Sequence, residues 1–156
     1  MEVYLVRHAE AKRPEEDPGQ PLSERGREAA SKVAGLLKGL DIKVKVIKHS
    51  GKLRAEETAR ELSKAVTSSD GLEKTEGLAP NDDIVPMKTL LEKTGGNVMI
   101  VGHLPYLSRL ASSLLGTDPD KNIVNFQTAS IIRLDRDHSP GSWRIRWMLT
   151  PDITET

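Results

Sequence analysis

The stretch VYLVRH, Val3–His8, sets four apolar residues directly before an arginine and a histidine. Such a continuous apolar run is typical of a parallel β-strand that is buried on both faces. A second run of this kind, VMIVGH, covers Val98–His103 and also ends in a histidine. Helical stretches alternate with short apolar runs along the chain, which predicts an α/β fold with a sheet that is parallel in its first part.

The remaining elements are predicted from apolar spacing and turn residues. Ile42–Val46 alternates with lysines and predicts one strand with an exposed face, and Glu73–Leu78 predicts a short edge strand. Ala129–Leu134 and Trp143–Met148 predict a terminal antiparallel hairpin that turns at Pro140-Gly141. Apolar residues at helical spacing predict four helices, which begin after Ser23, near Ala55, after Asp83 and at Pro105.

Composition limits the classes of function. The 156 residues suit one domain spanning residues 1–156. Lys plus Arg and Asp plus Glu each total 23, and this zero formal charge disfavours nucleic acid or an anionic membrane as partner. Cysteine is absent, which excludes disulfides, thiolate nucleophiles and cysteine-ligated metals. No apolar run is long enough for a signal peptide or a bilayer span, so we expect a cytoplasmic protein.

Unusual polar residues follow three predicted strands. Arg7-His8 ends the first strand, His49-Ser50 ends the second and is followed by Arg54, and His103 ends the fourth. In open α/β sheets ligands bind outside the carboxyl ends of the strands, so two histidines and two arginines are expected at one edge. Guanidinium groups match a phosphoryl group, and an imidazole is a nitrogen nucleophile near neutral pH. A second imidazole, when protonated, would add a charge-assisted donor.

Each of these residues also has a simpler interpretation when taken singly. Arg7 could pair with Glu10, Arg54 could be a solvated ion-pair residue, and His103 could be bonded to a carbonyl. His49 lies close to the predicted edge, whereas His138 falls in a turn. The coincidence of the two arginines and two histidines at one edge favours the functional interpretation.

Other catalytic classes find less support. His8, His49 and His103 could ligate a metal with Glu10 or Asp82, but the flanking arginines would repel a cation, so no metal or other cofactor is expected. The sequence contains no P-loop motif, no dinucleotide-binding glycine motif and no G-x-S-x-G nucleophile elbow.

Four blocks of sequence carry a family resemblance. Leu5–Ala11, Leu53–Ala59 and Val101–Pro105 resemble, in order, the three signature blocks of the histidine phosphatase superfamily. Pro21–Gly26 resembles the start of its first helix. Within the superfamily, the short length and the form of these blocks are similar to the small bacterial phosphohistidine phosphatases of the SixA type.

The resemblance implies roles for the four residues. His8 would be the nucleophile that becomes phosphorylated, while Arg7, Arg54 and His103 would hold the phosphoryl group. The implied fold is a three-layer α/β/α arrangement whose mixed, mostly parallel sheet ends in a C-terminal antiparallel hairpin. The expected activity is a metal-independent phosphohydrolase acting on phosphohistidine in a protein, with a role in signalling. The alternatives are a small-molecule phosphomonoesterase of the same superfamily and a non-catalytic module that binds phosphate or phosphohistidine.

The chain also departs from the family pattern. Family members usually have Ser-Pro where this chain has Ser50 followed by Gly51. Leu104 stands where one branch has an acidic proton donor after the second histidine, and Glu76 is only a loose match for the acid of another branch. No general acid is therefore assigned, and Glu10, Glu76 and Asp82 are the candidates. A phosphoramidate tolerates the lack of an acid better than an alkyl phosphate does.

Overall fold

A central mixed sheet organises the protein. The computed structural model describes residues 1–137 and 142–154. The strands are β1 (Glu2–Arg7), β2 (Lys43–Val44), β3 (Val46–His49), β4 (Thr67–Ser68), β5 (Leu72–Lys74), β6 (Val98–Gly102), β7 (Ile131–Arg136) and β8 (Trp143–Leu149). The helices are α1 (Glu24–Leu37), α2 (Leu53–Leu62), α3 (Val85–Lys93) and α4 (Tyr106–Leu114), with short 3-10 turns at Lys38–Leu40, Pro119–Lys121 and Pro151–Thr154.

The strand order confirms the predicted topology. Six strands pair in the order β5-β3-β6-β1-β7-β8. The first four are parallel, β7 runs antiparallel to β1, and β8 runs antiparallel to β7. The strands β7 and β8 form the predicted C-terminal hairpin, and its predicted turn at Pro140-Gly141 lies outside the described residues.

Helices cover both faces of the sheet, as the three-layer prediction requires. Side chains alternate across β1, so Val3 and Leu5 enter one apolar core and Tyr4 and Val6 enter the other. The first core also contains apolar residues of α3 and α4, and the second contains those of α1 and α2. Within the described residues, no helix is long and apolar enough to cross a membrane.

The start of α1 is fixed against the loop that follows β1. The side chain of Ser23 caps the helix by accepting the Gly26 N–H at 3.0 Å, as predicted from the sequence. The Ser23 N–H donates to the Glu10 carbonyl at 2.9 Å. A Cβ atom added at Gly26 would lie 2.0 Å from that same carbonyl oxygen, so only glycine allows this approach.

The prediction of a single strand over Ile42–Val46 is wrong. Lys43–Val44 forms β2, which pairs with β4 in a separate two-stranded sheet, and β3 begins only at Val46 in the main sheet. Lys45 lies between them, and its N–H donates to the Asn97 carbonyl at 2.8 Å. The alternation of apolar and lysine residues continues through this change of partner strand. The local pattern therefore could not show the break.

Candidate active site

The carboxyl ends of three neighbouring strands bring the predicted residues together. In the parallel pair of β1 and β6, Arg7 lies opposite Gly102, so His8 and His103 follow at the same edge. The His8 N–H donates to the Gly102 carbonyl at 3.0 Å. The centroids of the two imidazole rings are 5.0 Å apart, with the ring planes inclined by 50°.

The half-buried imidazole of His8 is oriented by a hydrogen bond at one ring nitrogen. Its Nδ1 lies 2.7 Å from the Ala9 carbonyl oxygen. A carbonyl only accepts, so this contact places the ring proton on Nδ1 and leaves the lone pair on Nε2. Burial lowers the pKa of His8 to about 4; the Ala9 carbonyl opposes this shift, and Arg54 and Arg7 reinforce it. The ring is therefore neutral, with a free Nε2 lone pair, at pH 7.

Arg7 is fixed by the segment that leads into β7. Its Nη1 donates to the Phe126 carbonyl at 2.8 Å, while its backbone N–H donates to the Ser130 carbonyl at 3.1 Å. The Ala129 N–H donates to the carbonyls of Arg7 and His8 at 3.1 and 3.2 Å. The buried Nε of Arg7 has no hydrogen-bond partner among the described residues. This nitrogen is therefore free to donate to a bound anion.

Arg54 lies in the first turn of α2 and is half-buried. Its carbonyl accepts the Thr58 hydroxyl at 2.8 Å, and the Thr58 oxygen accepts the Ala9 N–H at 3.0 Å, so the helix is tied to the residue after His8. Burial lowers the pKa of both Arg54 and Arg7. Within residues 1–137 and 142–154, neither arginine forms an ion pair, including the pairing of Arg7 with Glu10 considered above.

His103 is buried at 2% exposure directly after β6. Its Nε2 lies 2.6 Å from the Ser50 Oγ, and its buried Nδ1 has no hydrogen-bond partner among the described residues. Burial lowers the pKa of His103 to about 3, and His8, Arg54, Lys52 and Arg7 lower it further by charge repulsion. The second imidazole is therefore also neutral at pH 7 before an anion binds. The negative charge of a bound phosphoryl group would favour its protonation.

His49 has a different place from the other two strand-end histidines. It is buried, and its Nδ1 accepts the Gly51 N–H at 3.1 Å, which shapes the loop after β3. Burial lowers its pKa as well. His138, predicted in a turn, lies outside the described residues. In the described part of the chain, no group of three or more histidine or acidic side chains is arranged to hold a metal ion.

Two of the three candidate acids form other hydrogen bonds, and the third is exposed. The Glu10 carboxylate accepts the Ser23 hydroxyl at 2.8 Å and lines a cavity of about 240 Å³ in which neither His8 nor His103 takes part. Glu76 is exposed in the turn after β5. Asp82 is exposed, and its Oδ2 accepts the Ala79 N–H at 2.8 Å.

Two further residues at the site escaped the sequence analysis. From the sequence, Ser50 is placed at the end of a strand and Thr58 within the block Leu53–Ala59, without a role for either side chain. Both use a hydroxyl to join segments that are far apart in sequence: Ser50 with His103, and Thr58 with Ala9. Ser50 directly follows a strand that ends at the edge of the site. This position was the signal in the sequence that could have indicated its role.

Taken together, the geometry suits the transfer of a phosphoryl group. The two guanidinium groups, which have no acidic partner among the described residues, can neutralise the equatorial oxygens. A neutral imidazole with its lone pair on Nε2 can attack phosphorus, and a second imidazole lies beside it.

Comparison with known proteins agrees with this geometry. Residues 3–79 match the family model of the histidine phosphatase superfamily (branch 1). The chain is 26% identical to phosphohistidine phosphatase SixA of Escherichia coli (strain K12) over 97% of this chain and 94% of that protein.

Solved structures show the same fold. The structure of the protein histidine phosphatase SixA complexed with tungstate matches with a TM-score of 0.85 and 26% identity, over 99% of this chain and 100% of that one. A putative alpha-ribazole-5'-P phosphatase from Escherichia coli matches with a TM-score of 0.70 and 18% identity, over 97% and 98% of the two chains. The motif blocks, which lie within residues 5–105, the family-model match over residues 3–79 and the fold of the whole chain agree, and the chain belongs to the histidine phosphatase superfamily.

Proposed function

We propose that this phosphatase hydrolyses phosphohistidine in a protein without a metal ion, through a phosphorylated His8 intermediate. The observation that carries the proposal is the state of His8. Its ring is neutral, Nδ1 is bonded to the Ala9 carbonyl, and Nε2 keeps its lone pair beside two arginines that have no ion-pair partner in the described chain. This arrangement supports attack on a phosphoryl group that the arginines neutralise.

The first step exchanges one P–N bond for another. The His8 Nε2 lone pair forms a bond to phosphorus as the P–N bond of the substrate breaks, and that electron pair goes to the substrate imidazole. A substrate ring protonated on its other nitrogen leaves as neutral imidazole, so the enzyme supplies no proton. An alkoxide leaving group would need a proton donor.

The second step is hydrolysis of phospho-His8. Because Nδ1 keeps its proton in the bond to Ala9, the phosphorylated ring is cationic and leaves as neutral imidazole when water attacks phosphorus. The water gives its proton to the solvent, and inorganic phosphate is released. Both steps thus proceed without a carboxylic acid, and Glu10 and Asp82 are engaged in other hydrogen bonds.

Substrate preference follows from the leaving group. A phosphohistidine protein should be cleaved well, aryl phosphates moderately, and alkyl phosphates such as sugar or glycerate phosphates poorly. The measurement is kcat/KM over such a panel. A value for any alkyl phosphate at or above that for the phosphohistidine protein would contradict the proposal and favour a small-molecule phosphomonoesterase.

Trapping tests the intermediate. After acid-free quenching of turnover with labelled substrate, phosphate should remain on the peptide that contains His8, and His8→Ala should abolish both label and turnover. Label on another peptide would refute the assignment. Binding of substrate by the wild type with no release of phosphate in a single turnover would instead indicate a binding module.

A matched pair of arginine variants tests how much the charge of Arg54 contributes to turnover. Arg54→Ala should lower kcat by roughly 10²–10³-fold, the usual cost of removing one donor to a developing oxyanion. Arg60→Ala is the control, because Arg60 lies on the same helix but is exposed and paired with Glu56 at 2.9 Å. Equal activity of the two variants would show that Arg54 does not act on the phosphoryl group.

Metal independence and anion binding are tested with the wild-type protein. Activity should survive EDTA, and vanadate or tungstate should inhibit by occupying the space between the arginines. Loss of activity in EDTA that a divalent cation restores would contradict the proposed mechanism.

A further inference from the structure

Ser50 contacts the second histidine of the site. β3 and β6 are neighbours, with His49 opposite Val101, so Ser50 lies near the end of β6, which His103 follows. The Ser50 Oγ is 2.6 Å from the His103 Nε2. This is a short hydrogen bond for a hydroxyl and a ring nitrogen.

The direction of this hydrogen bond follows from the other contacts of Ser50. Its Oγ accepts the Lys52 N–H at 3.3 Å, and among the described residues His103 is the only acceptor for the hydroxyl proton. A neutral imidazole has one protonated nitrogen and one acceptor nitrogen. If the hydroxyl donates, Nε2 is the acceptor and Nδ1 carries the proton. The opposite tautomer would leave the hydroxyl proton without a partner, which is costly in a partly buried site.

The position of this proton decides how His103 meets an anion. Nδ1 is the ring nitrogen that has no hydrogen-bond partner in the described chain. When protonated it can donate to a phosphoryl oxygen, which is an acceptor; when unprotonated it would present a lone pair and repel it. The resting tautomer therefore decides between attraction and repulsion before any proton is taken up.

The loop around Ser50 is itself fixed. The Gly51 N–H donates to the His49 Nδ1 at 3.1 Å, and the Thr75 N–H donates to the His49 carbonyl at 2.9 Å. Gly51 has a φ of +88°, a value that glycine adopts without strain. The strand end and the turn thus hold the backbone of Ser50 in place, which keeps its side chain beside His103.

We propose that Ser50 is a positioning residue that holds His103 as the Nδ1–H tautomer, so that His103 can donate to the phosphoryl group. The catalytic meaning of this step rests on the proposed function. The tautomer itself is a property of the resting protein and can be measured without substrate.

The experiment is ¹⁵N NMR of the four histidines in labelled wild-type protein at about pH 7, with His103 assigned from the His103→Asn variant. Wild type should show a protonated Nδ1 and an unprotonated Nε2 in His103. Ser50→Ala should shift this balance toward Nε2–H and lower kcat roughly tenfold, the worth of about one hydrogen bond. Ser50→Thr keeps the hydroxyl and should restore both readouts.

Ser63→Ala is the control, because its hydroxyl bonds the Arg60 carbonyl at the far end of α2. It should change neither the tautomer nor kcat. A wild-type His103 protonated on Nε2, or an unchanged Nδ1–H tautomer in Ser50→Ala, would overturn the inference. An Nδ1–H tautomer in a protein that cleaves no phosphohistidine would refute the proposed function while leaving the hydrogen-bond assignment intact.

Discussion

Replacement of Gly26 by alanine should weaken both the fold and the site. A Cβ atom at this position would lie 2.0 Å from the Glu10 carbonyl oxygen and 2.9 Å from its carbonyl carbon. Because such contacts do not fall below 3.0 Å, the start of α1 and the loop after β1 must separate by about 1 Å. Overpacking of this kind costs about 1–3 kcal/mol. The helix propensity of alanine offsets at most about 1 kcal/mol of it.

Gly35→Ala provides the matched control. Gly35 lies in the same helix, and a Cβ atom added there meets nothing within 4 Å. The same substitution should therefore stabilise the protein by about 0.5–1 kcal/mol through helix propensity alone. Because the propensity gain is shared, urea denaturation should separate the two variants by the overpacking cost of about 1–3 kcal/mol, with Gly26→Ala the less stable.

Turnover should follow the same order. Glu10 is two residues after His8, so a displacement of about 1 Å at Glu10 moves His8, the proposed nucleophile, and a shift of that size can lower the rate by about 10²-fold. Gly35→Ala should keep wild-type kcat. Equal stability and equal turnover of the two variants would refute the reasoning that the close approach at Gly26 positions the site.

Three further predictions concern pH, a loop and a helix cap. An unfolded histidine titrates near pH 6.5, but burial lowers the pKa of His103 to about 3, so the unfolded state binds more protons between these values. Stability should therefore fall as the pH is lowered below about 6.5, and His103→Asn should make urea-denaturation midpoints less dependent on pH; parallel pH curves for the two proteins would contradict this. Gly51→Pro should destabilise the protein by more than about 1 kcal/mol, because proline cannot reach a φ of +88° and lacks the N–H that His49 accepts. A thermal-denaturation midpoint equal to that of the wild type would show that the loop adapts. Ser23→Ala should cost about 1 kcal/mol in urea denaturation through loss of the α1 cap, and an unchanged midpoint would mean that another group caps the helix.

Much of the fold could be predicted from the sequence, because the local apolar pattern and the tertiary structure agree in the central strands. Val3–Val6 and Val98–Val101 are apolar throughout, and both form inner strands covered on two faces. The division of Ile42–Val46 was hidden, because it depends on which distant strand each half pairs with. Pairing of that kind leaves no mark on the local alternation.

The site was predictable where residue type and strand position coincide. Arg7 and His8 lie at the end of a fully apolar strand. Polar residues in this position are expected at the ligand-binding edge of the sheet, and the same rule predicts His103 there. The rule also selected His49, whose ring instead bonds the neighbouring Gly51. Ser50 was missed because its importance comes from the direction of one hydroxyl, and this direction depends on the fold around it.

Backbone hydrogen bonds join Ala129 and Ser130 to Arg7 and His8, which are far from them in sequence. These contacts therefore form only after most of the chain has been synthesised. β1 precedes the other strands of the sheet in the sequence, yet its two neighbours in the sheet are β6 and β7. A nascent chain that has reached only α4 already contains both histidines and both arginines, but it lacks Phe126, whose carbonyl accepts from the Arg7 guanidinium, and Ala129, whose N–H donates to the carbonyls of Arg7 and His8. We therefore expect phosphatase activity to appear only after the segment through Arg136 has emerged from the ribosome.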